Sequence, residues 1–201
     1  MAAHLPQLVE RFLDHLDAER NFSAHTVRGY ATDLEQFCRY LAAGPAEELT
    51  ADELPPLDDL HPARVGEALT AATPVEVRGY LAMLRNSAYS KATVARKLAS
   101  LRSFYRYLVR IGAAESSCVS VVRTPRQDRR LPNCLDVEEV AALLEAPPQD
   151  TPFGARDRAI LETIYSAGLR ISELVGLNVE DLDEFGQALR IRGKGRKERI
   201  V

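Results

Sequence analysis

The sequence predicts a mainly α-helical protein of two domains, the second of which ends in a β-hairpin. Three observations carry that expectation. Apolar residues recur at helical spacing through most of residues 5–112, a charged stretch without period interrupts residues 113–134, and two short strand-like segments flank a glycine-containing turn near the end. A chain of 201 residues that is 46% hydrophobic is long enough to bury the cores of two small domains.

The first helix is read from Leu5, Leu8, Val9, Phe12, Leu13 and Leu16, with Pro6 suited to its first turn. Ser23 caps a second, whose stripe is Val27, Tyr30, Leu34, Phe37, Cys38 and Leu41, and which Gly44-Pro45 ends. Residues 44–72 are acidic and proline-containing, a loop insert with room for one short helix. Thr73-Pro74 then opens a helix that aligns Val77, Tyr80, Leu81 and Leu84. Ser90 caps the next, with Val94, Leu98, Leu101, Tyr105 and Leu108 inward and Gly112 at its end.

Residues 1–112 therefore read as one helical domain and 113–134 as a basic linker; 135–201 read as the start of a second, incomplete domain. In that second part Asp136-x-x-Glu139 is an Asp variant of the capping box, and Pro147-Pro148 stops the helix it begins. A helix over 155–167 places Ile160, Leu161, Ile164 and Tyr165 inward and stops at Gly168; a short helix follows from Ile171 to Leu177. Ala188 to Arg192 and Glu198 to Val201 are the hairpin strands, and the chain stops inside the second, which leaves an uncovered edge and predicts an unfinished domain.

The formal charge of −3 conceals strong segregation. Twelve cations lie between Arg78 and Arg130 against only Glu115 and Asp128, whereas Glu47 to Glu67 is acidic around a lone Arg64. A basic middle of that kind can bind DNA although the whole chain is slightly acidic. Arg102, Arg106 and Arg110 fall every fourth residue on one helix; Lys91 and Arg96 extend that surface, and Arg126, Arg129 and Arg130 put charge in the linker. A plain solvated helical face is the competing reading. Three cysteines without a C-x-x-C pair indicate neither a disulfide framework nor a zinc site, and no metal or cofactor is expected. No run approaches the roughly 18 apolar residues of a membrane helix, and the N-terminus lacks a secretory pattern, so a cytoplasmic location is expected.

Arg170 and Lys194 are the candidate catalytic residues. Moving a phosphodiester without a metal requires cations at the non-bridging oxygens, and a planar, non-titrating guanidinium suits that task. Arg170 precedes a short helix whose N-terminus would also favour an anion, and Lys194 lies at a glycine-flanked hairpin tip. Taken singly, each is the kind of residue that is usually just solvated. The surrounding strings change this. Ser166-Ala-Gly-Leu-Arg-Ile-Ser-Glu-Leu-Val-Gly-Leu177 and Gly193-Lys-Gly-Arg-Lys-Glu-Arg199 closely resemble the first catalytic motif and the hairpin lysine motif of the Xer tyrosine recombinases. The resemblance reaches back through residues 155–165 and Arg130-Leu-Pro132 and, more loosely, to the N-terminal helices.

That resemblance implies a SAM-like core-binding domain and a catalytic domain clamped on double-stranded DNA, acting with a second recombinase subunit in a XerC/XerD-type heterotetramer to resolve chromosome or plasmid dimers. The look of Leu101-Arg-Ser-Phe-Tyr105 favours the XerC side. By family analogy Arg170 binds the scissile phosphate, Lys194 assists the leaving 5′ oxygen, and Glu173 supports Arg170; an ordinary first-turn helix acid is the equal alternative for Glu173. The family's His-x-x-Arg motif and tyrosine nucleophile have no counterpart here, since all four histidines precede Arg170 and Tyr165 is read as core. A catalytically inactive DNA-binding fragment and a helical protein-interaction module remain the alternatives. The 201 residues alone are accordingly expected to leave DNA uncut; a covalent protein–DNA adduct on a nicked substrate would contradict this.

Overall fold

The computed structural model describes residues 5–18, 22–44, 48–126, 133–183, 185, 187–193 and 198–201. The chain divides into two compact units, residues 1–129 and 130–201.

The first unit is built from α1 (Gln7–Ala18), α2 (Ala24–Ala43), α3 (Pro62–Ala71), α4 (Pro74–Asn86) and α5 (Lys91–Arg110). Their starts follow from local chemistry. Ser23 Oγ accepts from the Thr26 amide at 3.3 Å and Ser90 Oγ from the Thr93 amide at 3.1 Å, each satisfying a donor that the helix cannot. Thr73 and Glu76 form a capping box, with the Thr73 amide 2.9 Å from Glu76 Oε2 and Pro74 at the first helical position.

Aromatic rings fill the centre. Phe12, Phe37, Tyr80, Phe104 and Tyr105 are all buried, and edge contacts join Phe12 to Phe104 at 5.4 Å and Phe37 to Tyr80 at 5.1 Å. Pairs of this geometry add about 0.5–1.5 kcal/mol each beyond their burial. The acidic insert contributes more than its composition suggests, because Val65 and Leu69 of α3, one turn apart, are both in the core. The stretch read as linker also packs back at first: Cys118, Val119 and Val122 join the same core.

In the second unit Asp136 caps α6 (Val137–Glu145), its Oδ1 accepting from the Glu139 amide at 2.8 Å. α7 (Pro152–Ala167) packs against α6 and against α8 (Ile171–Val175). Three antiparallel strands follow, β1 (Leu182–Asp183), β2 (Ala188–Arg192) and β3 (Glu198–Ile200), in the order β1-β2-β3. The register pairs Leu182 with Leu189 and Ile191 with Arg199. β1 is two residues long, too short to show an alternating pattern in sequence. Tyr165 is a correction: expected inward with Ile160, Leu161 and Ile164, which are half-buried, it is 66% exposed, because helical spacing sets a common face but not the neighbour that covers it. Among the described residues no helix is long and apolar enough to cross a membrane.

Gly79 on α4 marks a close approach, since a methyl group there would overlap the hydroxyl of buried Tyr40 on α2. Gly79→Ala is expected to lower stability by about 1–2 kcal/mol despite its better helix propensity. Tyr40→Phe in that background, which deletes the overlapping oxygen, should recover most of the loss in a denaturant melt. No recovery would show that the strain lies elsewhere.

Candidate functional site

α7 ends at Gly168, whose φ of +60° is the left-handed conformation a terminating residue needs and whose amide bonds the Ile164 carbonyl at 2.9 Å. The reversed chain then buries Leu169 and sets Arg170 as the residue that precedes α8. One turn later Glu173 folds back. Its Oε2 accepts from the Arg170 amide at 3.0 Å and its Oε1 from Arg170 Nη1 at 3.0 Å. From β3, Arg199 closes a two-pronged pair on the same carboxylate, Nη1 to Oε1 at 3.0 Å and Nη2 to Oε2 at 2.9 Å. The register explains the reach of Arg199, because it lies opposite Ile191, the buried residue of β2.

The Glu173 side chain is only 6% exposed, and a carboxylate is kept ionised at such a place only when its lone pairs are filled. Arg199 is the main reason its pKa is held down to about 2; the Arg170 amide adds to this, burial opposes it, and the Arg170 side chain contributes less. The N-terminus of α8 is therefore not an open anion site as expected from sequence: the helix has five residues and its own glutamate takes the amide. Arg170 itself keeps 76% of its side chain exposed while one of its nitrogens is held by Glu173. It lines a depression of about 830 Å³ with Ser172, Glu173, Arg192, Gly193, Glu198 and Arg199. Arg192 is paired in turn, 2.9 Å from buried Asp181 and 3.7 Å from Glu198. Lys194 follows Gly193 in the chain and lies outside the described residues.

The expected DNA-contacting residues of the first unit divide by what holds them. Arg102 reaches Thr124 Oγ1 and the Val122 carbonyl, each at 2.6 Å, and so fastens the segment that follows α5. Arg110 Nη2 is 2.7 Å from His15 Nε2, and its guanidinium lies over the Tyr107 ring at 5.4 Å. Arg106, between them on the same helical face, is exposed, as are Lys91 at the start of α5 and Arg126 beyond it. Arg96 reaches Asp33 at 2.5 Å with 55% of its side chain exposed. Arg129 and Arg130 lie outside the described residues.

Arg199 and Asp33 are among the residues of these clusters that the sequence did not single out. Arg199 stood inside the hairpin string, but only strand pairing gives it a partner. Asp33 left a local signal, a charge set between Tyr30 and Phe37 on the stripe that α2 buries.

Two family models match the chain. The phage integrase N-terminal SAM-like domain covers residues 9–55 and 57–112, and the phage integrase family covers residues 133–201. The chain belongs to the phage integrase family. Among curated relatives, the tyrosine recombinase XerC of Pelobacter propionicus is 41% identical over 197 residues, a match that covers 98% of this chain and 59% of that protein. The tyrosine recombinase XerC of Myxococcus xanthus is 42% identical with the same coverage. The chain thus spans about three-fifths of the length of these relatives. Among solved structures, a lambda integrase dimer bound to a COC′ core site is similar with a TM-score of 0.61 at 16% identity, covering 96% of this chain and 47% of that one. The Tn1549 transposon integrase in complex with circular intermediate DNA gives 0.57 at 15% identity, covering 98% of this chain and 59% of that one. At these identities the structures support the fold: a SAM-like helical domain followed by integrase-type helices and a small sheet.

The depressed pKa of Glu173 has a readable sign. A carboxylate held at about 2, against an ordinary 4.5, supports the folded state above its ordinary value, and that support is lost as the pH falls through about 2. Carboxyl NMR should find Glu173 still ionised near pH ~3.5, where exposed glutamates are largely protonated. Arg199→Ala should raise its midpoint toward the ordinary range; a midpoint that stays near 2 would mean that Arg199 is not the main cause.

Proposed function

We propose that this protein acts as a XerC-like, site-specific tyrosine recombinase, which cuts and rejoins double-stranded DNA without a metal, and that the 201 residues supply its DNA-binding unit and part of its phosphate site. The observation that carries the reading is Arg170, an exposed guanidinium whose position is fixed by a buried carboxylate that is itself fixed by Arg199. A cation needed in a transition state works best when its position is set beforehand, so that no reorganisation is required as charge develops. In this reading Arg170 neutralises a non-bridging oxygen of the scissile phosphate, Lys194 gives a proton to the departing 5′ oxygen, and Glu173 acts as a positioning residue for Arg170.

Lys91, Arg96, Arg106 and Arg126 are the cations we assign to the phosphate backbone, joined by Arg129 and Arg130. Arg102 and Arg110 contribute mainly by holding the segment after α5 and the α1–α5 contact, with their remaining donors turned to the duplex. The partners are a recombination site and a second recombinase subunit, and the location is the cytoplasm, where chromosomal and plasmid DNA are found. Resolution of chromosome or plasmid dimers is the reaction that fits a XerC-like enzyme.

Duplex binding by the chain should weaken steeply with salt, each neutralised phosphate adding about 0.9 to the slope of log affinity against log salt. No binding at low salt would overturn the DNA reading. In a polypeptide that also carries the tyrosine nucleophile, Arg170→Ala should slow strand cleavage by about 10²- to 10³-fold, as loss of a transition-state donor does. An unchanged cleavage rate would refute the role of Arg170.

A further inference from the structure

Where α2 meets α5, the first unit buries an ion cluster that its apolar core does not require. Asp33 of α2 is 1% exposed. Its Oδ1 accepts from Lys97 Nζ at 3.0 Å, and its Oδ2 accepts from Ser100 Oγ at 2.7 Å and from Arg96 Nη1 at 2.5 Å. Lys97 is nearly as buried as Asp33, 5% of its side chain being exposed, and its ammonium lies 5.6 Å from the centre of the Tyr89 ring. Tyr89 continues into a fixed polar chain: its hydroxyl accepts from Gln36 Nε2 at 3.0 Å, and Gln36 Oε1 accepts from the Tyr80 hydroxyl at 3.0 Å.

Buried ion pairs of this kind are seldom worth more than apolar residues of the same size, because desolvation cancels most of the attraction. The charge count is also uneven. Lys97 alone neutralises Asp33, so Arg96 is the surplus cation of the cluster, and it is the member that faces solvent. Held on one side by a buried, hydrogen-bonded carboxylate, a guanidinium keeps its remaining donors directed outward, and the entropy lost in fixing a long side chain falls on folding and not on binding.

We propose that Asp33 and Lys97 are positioning residues that hold the Arg96 guanidinium in place to receive a DNA backbone phosphate. The proposal rests on the DNA-binding reading above. It separates Arg96 from Arg102 and Arg110, whose bonds fasten parts of the fold to one another, and it gives the buried pair a task that packing alone leaves unexplained.

The test titrates the 201-residue chain into a random-sequence duplex of about 30 base pairs across a range of salt. Absence of binding by the unaltered chain would sink the DNA reading itself, and this inference with it. Once binding is established, Arg96→Ala is expected to weaken it about five- to tenfold at ~0.1 M salt and to lower the salt slope by about 0.9. The double variant Asp33→Asn/Lys97→Met removes one charge of each sign, so long-range attraction is unchanged. If it is folded, it should nevertheless bind about threefold more weakly, and adding Arg96→Ala to it should then cost only about twofold. Unaltered affinity in Arg96→Ala would overturn the contact. Unaltered affinity in the folded double variant, or fully additive losses, would overturn the positioning role. Should the double variant fail to fold, nitrogen NMR of the Arg96 guanidinium in the free, unaltered chain decides the matter: separate Nη signals from hindered rotation are expected, and a single averaged signal would refute the held geometry.

Discussion

Among the described residues four N–H donors converge on one carboxylate, that of Glu173, and they join α8 to β3. Two donors come from Arg170, one backbone and one side chain, and two from Arg199 on β3. A buried carboxylate with fewer partners would be costly, and one with these four is a tie between α8 and the hairpin. The tie links the residue that precedes α8 to β3. Because the stretch Gly193 to Arg199 carries both the lysine motif and Arg199, the ionic contact and the expected phosphate chemistry belong to the same short piece of chain.

The first unit solves a related problem by different means. Its core combines aromatic and aliphatic side chains, local hydrogen bonds set the starts of its helices, and it buries the Asp33–Lys97 pair. Arginines that look equivalent along α5 are not equivalent in use. Arg102 and Arg110 bond to the polypeptide around them, Arg106 is exposed, and Arg96 is held by a buried acid while most of it faces solvent. A cation spent on internal bonds still contributes to the field around the protein, yet it is less free to follow a phosphate.

Much of this was legible in the sequence wherever the determinant is local. Ser23, Thr73, Ser90 and Asp136 mark helix starts because a side-chain oxygen three residues or fewer from the amide it caps is a property of the string itself, and Gly168 marks an end for the same reason. Arg170 and Glu173 were named from the resemblance of the strings around them to a family's motifs, and the cap of α8 brings the two together. What was not legible depends on partners distant in the chain. The inward placement of Tyr165 assumed that an apolar stripe is always covered, whereas Tyr165 is exposed. Arg199 needed the strand register, Asp33 needed the crossing of α2 with α5, and the helix over residues 62–71 needed a core for Val65 and Leu69 to enter. The even spacing of Arg102, Arg106 and Arg110 showed a common face and nothing of which guanidiniums the fold would occupy.

The central claim is that Arg170 meets a DNA phosphate while Glu173 and Arg199 remain paired behind it. Side-chain NMR of the 201-residue chain during addition of duplex DNA tests it most directly, reading the Arg170 guanidinium nitrogens and the Glu173 carboxyl carbon in one titration. The account predicts that the Arg170 signals shift with saturation and that the Glu173 carbon stays where an ionised, doubly paired carboxylate resonates. An Arg170 signal that does not respond to saturating duplex, or a Glu173 signal that moves as its pair with Arg199 breaks, would contradict it.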